Sequence, residues 1–218
     1  MYTLYYYPDN ASFAPHICLI HAGAPYQLVL VDRAKGALDA DWYRAINPLG
    51  QIPAMAVGDP AAGGFLMHEA AALCLKVAED FPAASLMPPL GTAARGTALE
   101  WLFYLTNTLQ ADCSVFNYAR RYASTAAGIK QVRTEAGARL GSMLGHIDRQ
   151  LRTGGPWLAG ESLSVADYYL LMVAGWLEQF KIPDPPSIRP SLKAYLRRAQ
   201  ALPAPAHAYR LEGHGPYF

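Results

Sequence analysis

Two short segments carry the residues with the clearest chemical purpose. Asn47-Pro48-Leu49-Gly50-Gln51-Ile52-Pro53-Ala54-Met55 sets a proline directly before an apolar run. A cis bond can be held there, because only before proline is the cis form little disfavoured. Such a bond turns the N–H and C=O of Ile52 outward, where an extended peptide can pair with them as a strand would. An ordinary loop-to-strand proline is the alternative at this motif. Further on, Phe65-Leu-Met-His68-Glu69-Ala70 places a carboxylate at the start of a helical stretch. A carboxylate there can take an ammonium while the unpaired N–H groups of the first turn take a carboxylate. A zwitterionic amino-acid head fits both, and capping of its own helix is the other role open to Glu69.

These residues need a scaffold, and the first 80 positions alternate strand and helix signals. Thr3–Tyr7 is a β-branched and aromatic run ended by Pro8-Asp9-Asn10, which predicts a strand and a turn. Ser12–Ala22 has helical spacing of Phe13, Cys18, Leu19 and Ile20, with Pro15 in the first turn and Gly23 beyond the end. Tyr26–Val31 completes a βαβ unit. A short helix over Asp39–Ile46, two short strands at Ala54–Val57 and Phe65–Met67, and a helix over Glu69–Asp80 follow. The proline-rich stretch 82–91 predicts a linker between a domain 1–81 and a domain 92–218. Beyond it the strand signals vanish. Long helical patterns cover Thr92–Arg121 and Ala123–Arg152. Leu163-Ser164-Val-Ala-Asp167-Tyr168 predicts a capped helix start with the helix running to Phe180, and a further helix covers Ser191–Ala201.

Bulk composition excludes several functions. Of 218 residues, 52% are hydrophobic and the formal net charge is +1, so no electrostatic steering toward nucleic acid or acidic lipid is expected. The charge is uneven: residues 1–82 carry net −4 and the rest net +5. The basic half fits a solvated face or attraction of anionic substrates. The N-terminus lacks a basic region followed by a long apolar one, and no apolar run is long enough to span a membrane. Cys18, Cys74 and Cys113 are odd in number and widely spaced, which favours a reducing compartment, and a cytoplasmic location is the default. His16, His21, His68 and His146 have no metal-ligand spacing, so no metal is expected.

Taken together, these residues resemble the glutathione S-transferase superfamily, most closely its bacterial beta class, over essentially the whole chain. The matching features are Tyr-Tyr-Pro8 followed by Ser12 and His16, Val31-Asp32 with Lys35, Asn47-Pro-Leu-Gly-Gln-Ile-Pro-Ala54, Glu69, Glu100-Trp-Leu102 and Ser164-Val-Ala-Asp167. The resemblance implies a thioredoxin-like α/β N-terminal domain plus an all-α C-terminal domain, and a homodimer. It implies that Ile52, held by cis-Pro53, pairs with the cysteinyl part of glutathione and that Glu69 takes the γ-glutamyl amine. Lys35 and Gln51 would contact the glycyl end, with Ala11, Ser12, His68 and Ala70 completing the glutathione site.

One departure matters. The beta class carries a cysteine that faces glutathione's sulfur; here that position is Ala11, and a beta-class histidine of the second domain is replaced by Gln110. A mixed disulfide needs a protein sulfur, so disulfide exchange is the weakest of three readings. The expected activators are Ser12, donating to the thiolate from the helix start, and Tyr6 on the first strand, for which simple burial is the alternative. Lowering a thiol pKa by about 2 units takes roughly 2.7 kcal/mol. One charge-assisted hydrogen bond plus the helix dipole can supply that. Phe13, Gln110, Cys113, Asn117, Tyr118, Tyr122 and Trp176 are the candidates to line the site of a small apolar electrophile. The leading reading is a transferase that moves glutathione's thiolate onto that electrophile. A non-catalytic glutathione- or ligand-binding protein is the alternative.

Overall fold

Strand β1 (Tyr2–Tyr6) alternates a buried Tyr2 and Leu4 with half-exposed neighbours, the period of two that a sheet with one well-covered face imposes. The computed structural model, which describes all 218 residues, continues with α1 (Phe13–His21) and β2 (Tyr26–Leu30), the predicted βαβ unit. After a one-turn α2 (Asp41–Arg44) come β3 (Ala54–Val57), β4 (Phe65–His68) and α3 (Ala70–Asp80). The sheet order is β2-β1-β3-β4. The β1–β2 pair is parallel, with Leu4 opposite Leu28; β1–β3 and β3–β4 are antiparallel, with Ala54 opposite both Tyr5 and His68. Helices α1 and α3 pack together through Ile17, Cys18, Leu73, Cys74 and Val77, all fully buried. This is the thioredoxin-like arrangement.

The second body is helical: α4 (Ala93–Tyr104), a π-helical stretch Leu105–Gln110, α5 (Ala111–Asn117), α6 (Ala126–Thr153), α7 (Val165–Gln179) and α8 (Pro190–Gln200). The predicted 30-residue helix from Thr92 is thus broken by a wider turn, a feature that hydrophobic periodicity does not report. Helix α7 is its hub, with every residue from Val165 to Gly175 buried. Its start is fixed by Asp167. That carboxylate accepts the Ser164 N–H (2.6 Å), the Leu158 N–H (2.9 Å) and the Tyr195 hydroxyl (2.5 Å), all out of water.

The expected boundary at 81–92 accounts for only one of the crossings. Compact packing groups 1–87 with 202–215, and 88–201 with 216–218. The second part of the first unit is α9 (Pro203–Glu212), a helix beyond the last predicted one at Ser191–Ala201. Pro203 and Pro205 lie in its first turn, where their missing N–H groups have no helical partner to lose. Helix α9 packs on α1, with the Tyr209 ring 4.8 Å from that of Phe13.

Candidate functional site

The Ile52–Pro53 peptide is cis, as the motif predicts. The residue before it is clamped: the Gln51 C=O accepts from the buried Tyr43 hydroxyl (2.6 Å) and from Asn47 Nδ2 (2.7 Å). Burial pushes the Tyr43 hydroxyl up to about 12, so it remains a donor at neutral pH. Gly50 makes the turn with φ +61°, and a Cβ there would lie 2.7 Å from the Leu38 carbonyl oxygen. Tyr43 and Asn47 are positioning residues that the sequence reading missed; the Asn-Pro pair at 47–48 was their only signal. His68, expected at the ligand, donates through Nε2 to the Ile46 C=O (2.9 Å) and so ties β4 to the same loop.

Glu69 follows at once, and its backbone is unusual. It has φ 69° and ψ 106°, a region that residues with a Cβ rarely occupy. It occupies the N-cap position of α3, but its side chain is exposed and makes no capping hydrogen bond to that helix. Ala70 is buried and offers only backbone. Lys35 is 85% exposed and lies 3.1 Å from Asp32, a solvated ion pair. Gln51 exposes its side chain and Ile52 is half-buried.

At the start of α1, Ser12 has no exposed surface, and its hydroxyl donates to the Tyr7 C=O (3.2 Å) without capping the helix. Donation to a bound thiol therefore requires Ser12 to leave that bond. Ala11 gives its N–H to Asn10 Oδ1 (2.9 Å). Tyr6 is half-buried; burial first and the charge of Glu212 second raise its hydroxyl, which keeps it a neutral donor.

The same loop is anchored by a cluster that spacing did not reveal. His16, fully buried on α1, places Nδ1 2.7 Å from Glu212 Oε1 and Nε2 3.2 Å from the Tyr26 hydroxyl. The other Glu212 oxygen accepts the Asp9 N–H (3.1 Å), and His214 Nε2 lies 3.6 Å from it. Burial alone would raise the Glu212 carboxyl; its contacts with His16, His214 and Asp9 outweigh that and hold it below the usual range. His214 moves the other way. Burial lowers it, but the nearby carboxylate of Glu212 dominates and raises it. His16 thus belongs to a polar core rather than to a surface.

The expected lining residues fare unevenly. Phe13 is 3% exposed, its ring packed between Tyr209 and His214, so it has almost no surface to offer a substrate. Cys113 is 2% exposed, and burial pushes its thiol up to about 12, which makes it packing material and not a nucleophile. Gln110 closes the π-helical stretch and accepts the Tyr169 hydroxyl through Oε1. Asn117 ends α5, half-buried, and Trp176 is half-buried on α7. Tyr118 and Tyr122 are exposed, Tyr118 beneath the Arg121 guanidinium at 4.3 Å. Cys18, Cys74 and Cys113 are all free and buried. No group of three or more His, Cys, Asp or Glu side chains converges as a metal site, and no helix is long and apolar enough to cross a membrane.

A thioredoxin-like α/β unit with a cis-proline facing a strained acidic helix start, joined to an all-helical unit, defines the class to which glutathione S-transferases belong. The sequence bears this out: residues 12–80 match the glutathione S-transferase N-terminal domain and residues 101–203 the C-terminal domain of that family. The chain is 30% identical to glutathione S-transferase GstA of Escherichia coli O157:H7, covering 82% of this chain and 84% of that one. A glutathione transferase structure from Methylococcus capsulatus is 35% identical with a TM-score of 0.82, covering 98% of this chain and 99% of that one. A homologue from Sulfitobacter, solved with bound glutathione, is 26% identical with a TM-score of 0.86, covering 99% of both chains. This chain belongs to the glutathione S-transferase family.

Proposed function

We propose that the chain acts as a glutathione S-transferase in which Glu69 holds the γ-glutamyl ammonium and the backbone of Ile52 pairs with the cysteinyl unit. The observation that carries this is Glu69, exposed, capping nothing and held at φ 69°. Strain of this kind costs about 1–3 kcal/mol and persists where function needs the geometry. Gln51 and Lys35 contact the glycyl carboxylate, Lys35 after exchanging Asp32 for it; Ala11, His68 and Ala70 shape the remaining wall. Gln110, Asn117, Tyr118 and Trp176 are the side chains assigned to the apolar electrophile. Phe13 and Cys113 act there only through packing.

For the thiol, the N-terminal end of α1 favours the anion, and Ser12 is the serine-type donor, rotating from the Tyr7 C=O to the sulfur. Tyr6, neutral at physiological pH, is the second hydroxyl. The chemistry is attack of the thiolate on the electrophile, with the thiol proton passing to solvent and the leaving group departing from carbon. Conjugation and glutathione-dependent cleavage of a carbon–oxygen or carbon–halogen bond use the same parts. A homodimer and a cytoplasmic location complete the reading; Phe65, 47% exposed at the outer strand β4, is available for association.

Isothermal titration with glutathione, together with the ultraviolet absorbance of the thiolate and turnover of a model electrophile, tests it. Binding, ionisation at neutral pH and turnover are expected in the wild type. Tight binding with the thiol still protonated removes Ser12's role and leaves the non-catalytic binder; absence of binding removes the whole reading.

A further inference from the structure

The end of α5 carries positive charge that nothing in the molecule neutralises. Between Asp112 and Glu135 the chain has Arg120, Arg121, Lys130 and Arg133 and no acid at all. These cations are exposed and none of them forms an ion pair. Elsewhere the rule is different: Lys35, Arg44, Lys76, Arg139, Arg152 and Arg189 each pair with an aspartate. Two of the unpaired arginines lie on aromatic rings instead. Arg121 stands 4.3 Å over Tyr118 and Arg133 4.5 Å over Phe116, the closest cation–ring contacts of the molecule.

A single tight turn builds the first of these stacks. Residues Ala119–Arg121 form a 3₁₀ turn directly after α5, pinned by buried Ala119 and by the Arg121 N–H donating to the Tyr118 C=O (2.8 Å). At about three residues per turn, positions 118 and 121 fall on the same side. The stack occupies a flat face of the guanidinium, while its N–H donors radiate in the plane and stay open to both oxygens of a carboxylate. Holding the long side chain in place beforehand removes part of the ordering cost that a free arginine would meet on binding. Tyr118 is itself 37% exposed, so part of its ring is left for a second ring to pack on.

We propose that the electrophile is an acidic aromatic compound whose ring packs on Tyr118 and whose carboxylate takes the Arg121 fork, with Arg120 adding charge beside it. This rests on the transferase reading and on the assignment of Tyr118 to the electrophile; it makes Arg121 the residue that sets substrate specificity. The test compares kcat/KM for a chlorodinitrobenzoate, its carboxylate para to the chlorine, with kcat/KM for the matching carboxamide. Each value is divided by that compound's rate with free glutathione. In both reactions the thiolate sulfur bonds to the ring carbon, chloride leaves with the carbon–chlorine electron pair, and the thiol proton passes to solvent. Wild type is expected to favour the carboxylate about tenfold or more, through KM. Arg121→Gln removes most of that preference, and Arg121→Lys, which keeps the charge but not the planar fork, retains only part of it. Arg197→Gln takes the same charge from an exposed position on α8 and leaves the ratio as in wild type. Equal corrected rates for the two compounds in wild type overturn the proposal, as does a ratio that Arg121→Gln fails to lower. Turnover of neither compound overturns the transferase reading along with it, whereas turnover without discrimination overturns the acidic substrate alone.

Discussion

Helices α3 and α7 both begin beside an acid, and the two acids have opposite fates. Asp167 is fully buried and accepts from Leu158, Ser164 and Tyr195; burial is strong enough to raise its carboxyl despite those donors. Glu69 is exposed, satisfies nothing in its own helix and sits on a strained backbone. The first arrangement stabilises the fold at no gain in chemistry. The second destabilises the fold locally and leaves a charged group presented to solvent. Burial and satisfaction, rather than residue type or helix position, separate the structural acid Asp167 from the one proposed to bind glutathione.

The largest effect that tests this contrast is at Asp167. Asp167→Ala leaves two buried N–H groups and the buried hydroxyls of Tyr195 and Ser164 without this acceptor, so about 3 kcal/mol of stability is lost. Thermal unfolding should fall by roughly 6–12 °C, and a change under 2 °C, on the scale of about 1 kcal/mol or less, would erase the distinction. Glu69 predicts the reverse pairing of effects. Glu69→Gly relieves the positive φ and raises the unfolding midpoint by an amount equivalent to about 1 kcal/mol. Glutathione affinity nevertheless falls about tenfold to a hundredfold, as it does in Glu69→Ala. A glycine variant that is less stable than wild type would show that the strain reading is mistaken.

Next in size is Ser12→Ala. As a donor to the thiolate it contributes about 1.5 kcal/mol, so kcat/KM drops about tenfold and the bound thiol's pKa rises by about one unit. A loss under threefold, about 0.6 kcal/mol, would move the activation to the backbone N–H groups of α1. The smallest effect concerns the anchor beneath that loop. Glu212 is held below its ordinary 4.5, so its contribution is complete above that pH and fades as pH falls through the folded value. His214 is held above its ordinary 6.5, so its contribution is complete below that pH and fades as pH rises through the folded value. Wild-type stability therefore peaks between the two. His16, Asp9, Tyr26 and Tyr209 face the same carboxylate or its neighbours. Glu212→Gln should flatten both slopes by about 1 kcal/mol, which unfolding midpoints measured across pH would record.

Much of this was legible from residues in order. The cis-proline, the βαβ-ββα sequence, the capped start of α7 and the acid at Glu69 all rest on local chemistry: proline's tolerance of the cis form, period-two and period-3.6 patterns, and cap residues. What escaped was non-local. Nothing near position 212 announces that Glu212 will meet His16 and Asp9, and the helix that carries it there lies beyond the last predicted one. Phe13 and Cys113 were misread for a related reason. An apolar side chain at helical spacing faces either a core or a cleft, and only the position of α9 decides that for Phe13. The clamp of Tyr43 and Asn47 on Gln51 likewise depends on how a loop folds back, not on any spacing.

Because α9 comes from residues 203–212 but completes the unit built by residues 1–87, synthesis order and folding order are at odds. As the chain leaves the ribosome, Phe13 and His16 emerge nearly 200 residues before the helix that covers them. Tyr26 can meet one nitrogen of the imidazole early, but the other nitrogen and the Phe13 ring find Glu212 and Tyr209 only once α9 has been made. A segment cut at residue 87 would carry that unfinished surface permanently.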